Sequence, residues 1–226
     1  NKSKEYSPKW QGGDLQIVIP MAGEAKSFKQ AGFKFPKFLV DIAGKPMIQW
    51  VTENINSEAK YIFIILKEHF EKYNMKFMLP LLVDNFEVVT LDKETQGAPQ
   101  TILEAEHLID NNKPLAIINS DQYMEWNSNE FFYAMAADEC DGGIVTFDST
   151  HPMYSFVRTG EDGFVIECAE KKPISRDATA GVYYFRRGHD FVEGAKSMIK
   201  KQITTHNQFF VCPVYNELIS KDMKII

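Results

Sequence analysis

The chain has 226 residues, 44% of them hydrophobic and 25% charged, with a formal net charge of −6. That length can bury a full core as one α/β domain, and the composition is that of an ordinary globular protein. The acidic balance argues against a general nucleic-acid or anionic-membrane surface, because such partners select basic faces, so any affinity for phosphate has to be local.

Residues 1–15 show no hydropathy period and are expected to form a flexible leader, with 16–226 as one domain. Ile17-Val18-Ile19 opens that domain as a β-branched run suited to a buried parallel strand. The chain then breaks at Pro20 and Gly23, gathers Lys26, Lys29, Lys34 and Lys37, and turns again at Gly44-Lys45-Pro46. Helical spacing follows from Met47 to Ile55, with proline at its start. A strand over 61–66, a helix over 68–83 interrupted at Pro80, a strand over 87–91 and a helix over 100–109 come next. Leu115–Ile118 is a fourth strand, and Asn127 with Glu130 is a capping-box-like start for another helix. After a strand over 142–147 the pattern changes to strand candidates at 154–158, 164–168 and 181–185, the first two joined by a hairpin turn at Gly160-Glu161-Asp162-Gly163. A helix over 188–201 precedes the closing segments 209–211 and 214–219. Alternating strand and helix predicts an α/β fold with a mostly parallel sheet.

Cys140, Cys168 and Cys212 are odd in number and lack Cys-x-x-Cys spacing, which predicts reduced, buried thiols. The histidines, His69, His107, His189 and His206, fall at helix ends or on polar faces with no metal-ligand spacing; His151 sits at a strand boundary, either in a turn or lining a pocket. No apolar run spans a bilayer and the start lacks a signal-peptide core, so the cytoplasm is the expected compartment.

Two places carry chemistry on their residues alone. A loop that leaves a parallel strand with glycine and lysines suits phosphate. Asp121, released at the end of a buried strand after the small Ser120, is placed to hold Mg²⁺ against phosphate oxygens, although a turn aspartate has the same appearance.

The stretch from Gln16 to Met47 resembles the nucleotidylyltransferases of the sugar-phosphate pyrophosphorylase family, through Ala22-Gly23, Pro36-Lys37 and Gly44-Lys45-Pro46-Met47. Where that family reads Gly-x-Gly-x-Arg, this chain has Gly23-Glu24-Ala25-Lys26-Ser27. The resemblance implies a Rossmann-like, GT-A-type sheet flanked by helices, with a small antiparallel addition on the acceptor side. It implies Mg²⁺-dependent transfer of a nucleotidyl group from a nucleoside triphosphate to a phosphorylated small-molecule acceptor, a sugar 1-phosphate or a non-sugar phosphate, releasing pyrophosphate. Lys37 and Lys26 would meet the triphosphate and Asp121 the metal. Ala22, Gly23, Ser120, Gln96 and Gly97 would bind the nucleotide. Glu170, Lys171, Lys172 and Gly181 would line the acceptor side, Lys172 being favoured and Lys171 kept because two adjacent lysines leave the register open. The family's late metal-binding acid has no match; Asn207 and Asn216 are the nearest polar residues. The chain looks closest to short members associated with capsule or surface-polysaccharide synthesis. A non-catalytic nucleotide or sugar-nucleotide sensor and a GT-A glycosyltransferase using a nucleotide sugar are the other readings. Neither nucleic acid nor membrane is expected as a partner, and oligomeric state stays open.

Overall fold

The β-branched run at Ile17 becomes a central strand in a computed structural model that describes residues 14–23, 30, 32 and 34–226. In this strand, β1 (Gln16–Met21), Ile17, Val18 and Ile19 are fully buried, as a parallel strand covered on both faces requires. A 3-10 turn at Lys37–Leu39 leads to a hairpin of β2 (Asp41–Ile42) and β3 (Lys45–Pro46), then helix α1 (Met47–Glu53). There follow β4 (Lys60–Leu66), α2 (Lys67–Lys72), α3 (Met75–Leu82), β5 (Phe86–Leu91), α4 (Ala98–Leu103), α5 (Glu106–Ile109) and β6 (Leu115–Ile118). The remainder is α6 (Ser128–Ala137), β7 (Gly142–Asp148), β8 (Ser155–Thr159), β9 (Val165–Glu170), β10 (Asp177–Phe185), α7 (Gly188–Lys200) and α8 (Val214–Ile219).

The main sheet has the order β5-β4-β1-β6-β10-β8-β9, with β7 also on β10. Strands β5, β4, β1 and β6 are parallel. The chain works outward from β1 to β5 and then returns to β6 on the other side of β1. This reversal opens a crevice at the carboxyl ends of β1 and β6, where α/β sheets bind ligands. β10 runs antiparallel to β6 and is the longer of the two. Its Val182 pairs with Ile118, the last residue of β6, so residues 177–181 overhang the crevice. There Asp177 and Ala178 pair with β8, which pairs in turn with β9. The antiparallel addition thus brings the end of β9 to the same rim as the end of β6.

Alternation along the strands divides the core between the two faces. Val18, Ile62, Ile64 and Phe185 lie on one side with Phe191 and Tyr215; Ile17, Ile19, Phe63 and Ile118 lie on the other with Phe132. Each such buried side chain contributes about 1.5–3 kcal/mol, enough to hold the strand ends rigidly.

Two expected helices differ in detail. The helix over 68–83 breaks at Asn74, not at Pro80: Asn74 has φ 51°, a left-handed conformation asparagine tolerates better than most residues, and Pro80 lies inside α3 two residues from its end. The helix over 100–109 starts earlier, at Ala98 behind Gly97, and splits into α4 and α5 at Glu104-Ala105. The Asn127 cap is present, its side chain accepting from Glu130 N at 3.2 Å. The turn at 160–163 forms the β8–β9 hairpin, closed by Gly160 N to Phe164 O at 2.8 Å. All three cysteines are buried and unpaired. His69 lies in the last turn of α2 and is buried against the rings of Phe38 and Tyr73.

Candidate active site

Lys37 is placed by its neighbours. Pro36 fixes the entry with φ −62°, and the 3-10 turn closes through Leu39 N to Pro36 O at 2.9 Å and Val40 N to Lys37 O at 3.1 Å. Phe38 is buried and anchors the turn. The lysine therefore leaves the surface from a fixed base, and its Nζ reaches Asp121 Oδ2 at 3.4 Å. Ser120 and Asp121 form the turn directly after β6. Ala22 is buried in the core and Gly23, the next residue, is exposed. Lys26 and Ser27 lie outside the described residues.

The Gly44-Lys45-Pro46-Met47 motif is a scaffold. Ala43 and Gly44 take φ of 52° and 85°, the conformation of a two-residue hairpin turn, and Gly44 N donates to Asp41 Oδ1 at 3.0 Å. Lys45 turns to Glu53 at 2.7 Å and lies over Trp50. Trp50 meets Tyr123 edge-on at 5.7 Å, which ties α1 to the Asp121 turn.

Gly181 joins that turn to the antiparallel strands. Its carbonyl accepts from Asn119 N at 3.0 Å, and its φ is +80°. A Cβ there would stand 1.9 Å from Gln122 Oε1, which itself accepts from Asn119 Nδ2 at 3.2 Å. Sequence reasoning did not single out Gln122, which packs between the Asp121 turn and Gly181; its one signal was its position next to Asp121.

Glu170 ends β9 with its carboxylate accepting from Ser155 Oγ. Burial pushes its pKa up from the usual carboxylate value, against the opposing effects of Ser155 and Lys171. Lys171 adopts φ 54°, donates its N–H to Tyr154 O at 2.9 Å, and sets its ammonium 5.3 Å from the ring centre of Phe210. Lys172 is exposed. His151 is exposed and its Nδ1 accepts from Met153 N at 3.2 Å, a turn contact.

On the far side of the rim, the Gln96-Gly97 loop is bound to the segment after α7. Gln96 Nε2 donates to Asn207 O at 2.8 Å, and Phe209 N donates to Gln96 O at 3.0 Å. Gly97 has φ 144°, and a Cβ there would meet Phe209 O at 2.1 Å. Chain packing alone thus demands glycine at 97. Asn216 is likewise engaged: its Oδ1 accepts from Cys168 N and its Nδ2 donates to Cys168 O, both at 2.8 Å. An amide committed to both backbone groups of an edge strand is a clip, with one of the two lone pairs of its oxygen already taken.

The structure thus brings Lys37 to Asp121 and the Asp121 turn to Gly181, while Phe209 and Phe210 link Gln96-Gly97 to Lys171. Among the described residues no group of three His, Cys, Asp or Glu side chains is arranged to hold a metal, and no helix is long and apolar enough to cross a membrane.

A mostly parallel sheet with lysine, carboxylate and glycine gathered at its switch point defines an α/β protein of the class that binds ligands at the carboxyl ends of its strands. The profile of the nucleotidyl transferase family matches residues 18–210, and the chain belongs to that family. It is similar to the bifunctional protein GlmU of Methanocaldococcus jannaschii, with 27% identity over 185 residues that cover 76% of this chain and 40% of that protein. A GlmU of Thermotoga petrophila is 28% identical over 107 residues, 47% of this chain and 22% of its own. The chain therefore spans well under half the length of these relatives. Among solved structures, the nucleoside-diphosphate-sugar pyrophosphorylase of Vibrio cholerae superposes with TM-score 0.78 at 25% identity, covering 92% of this chain and 89% of the other. A UDP-glucose pyrophosphorylase complexed with UDP-glucose shares the fold at TM-score 0.71 and 21% identity, covering 94% and 89%.

Proposed function

We propose that the protein transfers a nucleotidyl group from a nucleoside triphosphate to a phosphorylated small molecule, with a sugar 1-phosphate as the favoured acceptor. The observation that carries this reading is the Lys37–Asp121 pair at the carboxyl ends of β1 and β6. An oxygen of the acceptor phosphate attacks the α-phosphorus in line, the bond to the β-phosphate breaks, and pyrophosphate leaves. Such chemistry asks the protein for positioning and charge neutralisation, with no covalent intermediate. Lys37 neutralises the triphosphate, with Lys26 as a second cation; the backbone at Ala22, Gly23 and Ser120 and the Gln96-Gly97 loop receive the nucleotide. Glu170, Gly181 and a lysine of the 171–172 pair receive the acceptor.

Asp121 fits a divalent cation of the Mg²⁺ type. Its carboxylate is part-exposed beside a lysine, and Mg²⁺ is commonly held by one or two carboxylates together with substrate phosphates and water. Bound there, Mg²⁺ would offset charge developing on the phosphate oxygens. The cytoplasm, where nucleoside triphosphates are abundant, is the proposed compartment, and synthesis of surface polysaccharide the proposed setting.

The test is pyrophosphate release across the four nucleoside triphosphates, each with a panel of sugar 1-phosphates and other phosphorylated small molecules, with and without Mg²⁺. The expected result is release with one base and one acceptor class, dependent on the metal. Nucleotide binding with no release in any combination would replace this reading with a sensor. Transfer from a nucleotide sugar without pyrophosphate would replace it with a glycosyltransferase.

A further inference from the structure

Lys171 shares an aromatic contact with Lys72 and Lys224, whose ammoniums lie over Tyr73 and Phe164, and differs from them in standing directly after β9, at the crevice rim. Lys45, Lys60, Lys196 and Lys201 each pair with a glutamate, which cancels their charge. The Lys171 ammonium instead lies on the face of Phe210, 5.3 Å from the ring centre. A π face attracts a cation without neutralising it, so the charge stays available while the side chain loses rotameric freedom. The backbone adds to this constraint. Lys171 is left-handed at φ 54°, and its N–H is bound to Tyr154 O. Such a conformation persists only where the surroundings impose it. Phe210 is fixed in turn, since its neighbour Phe209 is buried and bridges in parallel to Gly97. Lys172 has neither constraint among the described residues.

We propose that Phe210 is a positioning residue for the acceptor: its ring holds the Lys171 ammonium in place to meet the acceptor's phosphate, and this singles out Lys171 over Lys172 as the contact. This inference rests on the proposed nucleotidyl transfer for its substrate. It also ties the two ends of the crevice together, because the same dipeptide, Phe209-Phe210, holds the Gln96-Gly97 loop.

The experiment compares Phe210→Leu, which fills similar volume without a π face, with Phe210→Trp, which restores one. With the triphosphate and sugar 1-phosphate that give pyrophosphate in the unmodified protein, Phe210→Leu should raise the acceptor KM about fivefold. The triphosphate KM and kcat should stay within about twofold, and Phe210→Trp should recover the acceptor KM. Lys171→Met should raise the same KM, and Lys172→Met should not. A second arm needs no turnover. The Lys171 side-chain NMR signals should carry an aromatic ring-current shift that Phe210→Leu removes. Inorganic phosphate should perturb those signals at a concentration that rises about fivefold in the variant. A missing ring-current shift, phosphate that leaves the Lys171 signals unmoved, an acceptor KM that follows Lys172, or equal rises in both KM values with a lowered Tm would overturn the proposal. Absence of pyrophosphate in the unmodified protein would instead overturn the transfer reading, and the NMR arm would still decide the role of Phe210.

Discussion

The Lys37 ammonium stands 3.4 Å from Asp121 Oδ2, although the two residues are 84 positions apart in the chain. With side chains 32% and 33% exposed, the pair adds under about 1 kcal/mol to folding. Lys37→Ala should therefore leave Tm nearly unchanged while lowering kcat/KM for the triphosphate roughly 10- to 100-fold, the equivalent of a charged hydrogen bond of about 1.5–3 kcal/mol. Asp121→Asn should lower turnover further and raise the Mg²⁺ concentration that gives half-maximal rate. Pyrophosphate release at varied nucleotide and Mg²⁺ measures both; unchanged kinetics in Lys37→Ala would remove this lysine from the reaction.

Gly181→Ala should destabilise through two separable effects. The left-handed backbone costs an L-residue about 1–2 kcal/mol, and the new methyl collides with Gln122 Oε1. Adding Gln122→Ser should relieve the collision and not the backbone cost, giving a favourable coupling in a double-mutant cycle read by denaturant unfolding. Strict additivity would show that the two residues do not touch.

Gly97→Ala meets backbone rather than a side chain, because Phe209 O lies 2.1 Å from the added atom. Backbone cannot rotate out of the way, so the loss should reach about 2–4 kcal/mol. Hydrogen exchange should quicken at Phe209, whose N–H is bound to Gln96 O; an unchanged exchange rate would contradict this packing.

Glu170 sets a pH dependence of stability. Burial raises its folded pKa above the ordinary 4.5, so the folded state holds its proton more tightly than the unfolded chain does. Its contribution to stability is intact below pH 4.5 and is lost as pH rises through the folded pKa. Glu170→Gln, neutral at every pH, should match the unmodified protein in acid and become the more stable of the two as pH rises, the gap levelling above the folded pKa. Paired melting curves across that range check the sign, and a gap of the opposite direction would refute it.

Asn216→Ala removes two hydrogen bonds to the Cys168 backbone and should cost about 1–3 kcal/mol. The Mg²⁺ requirement of the reaction should not shift, since this amide clips a strand. A metal titration curve displaced by the substitution would show that Asn216 serves the cation after all.

Much of the parallel half was legible without coordinates. The runs at Ile17, Tyr61 and Leu115 are apolar on both faces, and only a strand buried between helices makes that pattern favourable. Asp121 was readable for a related reason, since a charge placed soon after such a run must emerge at the sheet's edge; Lys37 was one of four lysines in the loop after Gly23, singled out only by the resemblance at Pro36-Lys37. Gln122, Ser155 and Phe210 gave no such signal. Their importance comes from β10 outrunning β6 at Val182 and Ile118 and carrying β8 and β9 over the crevice, and pairing of that kind is set by register between distant segments. The break at Asn74 was hidden because a left-handed asparagine leaves no mark in hydropathy.

By itself the order of residues determined the alternation of strands and helices, the burial of the central sheet and the charges released at its rim, since each follows from local periodicity. Only the tertiary structure decided which of those charges meet. It put Lys37 on Asp121, Glu170 under Ser155 and Lys171 on Phe210, because contacts between distant segments depend on strand order and overhang, which local sequence does not encode.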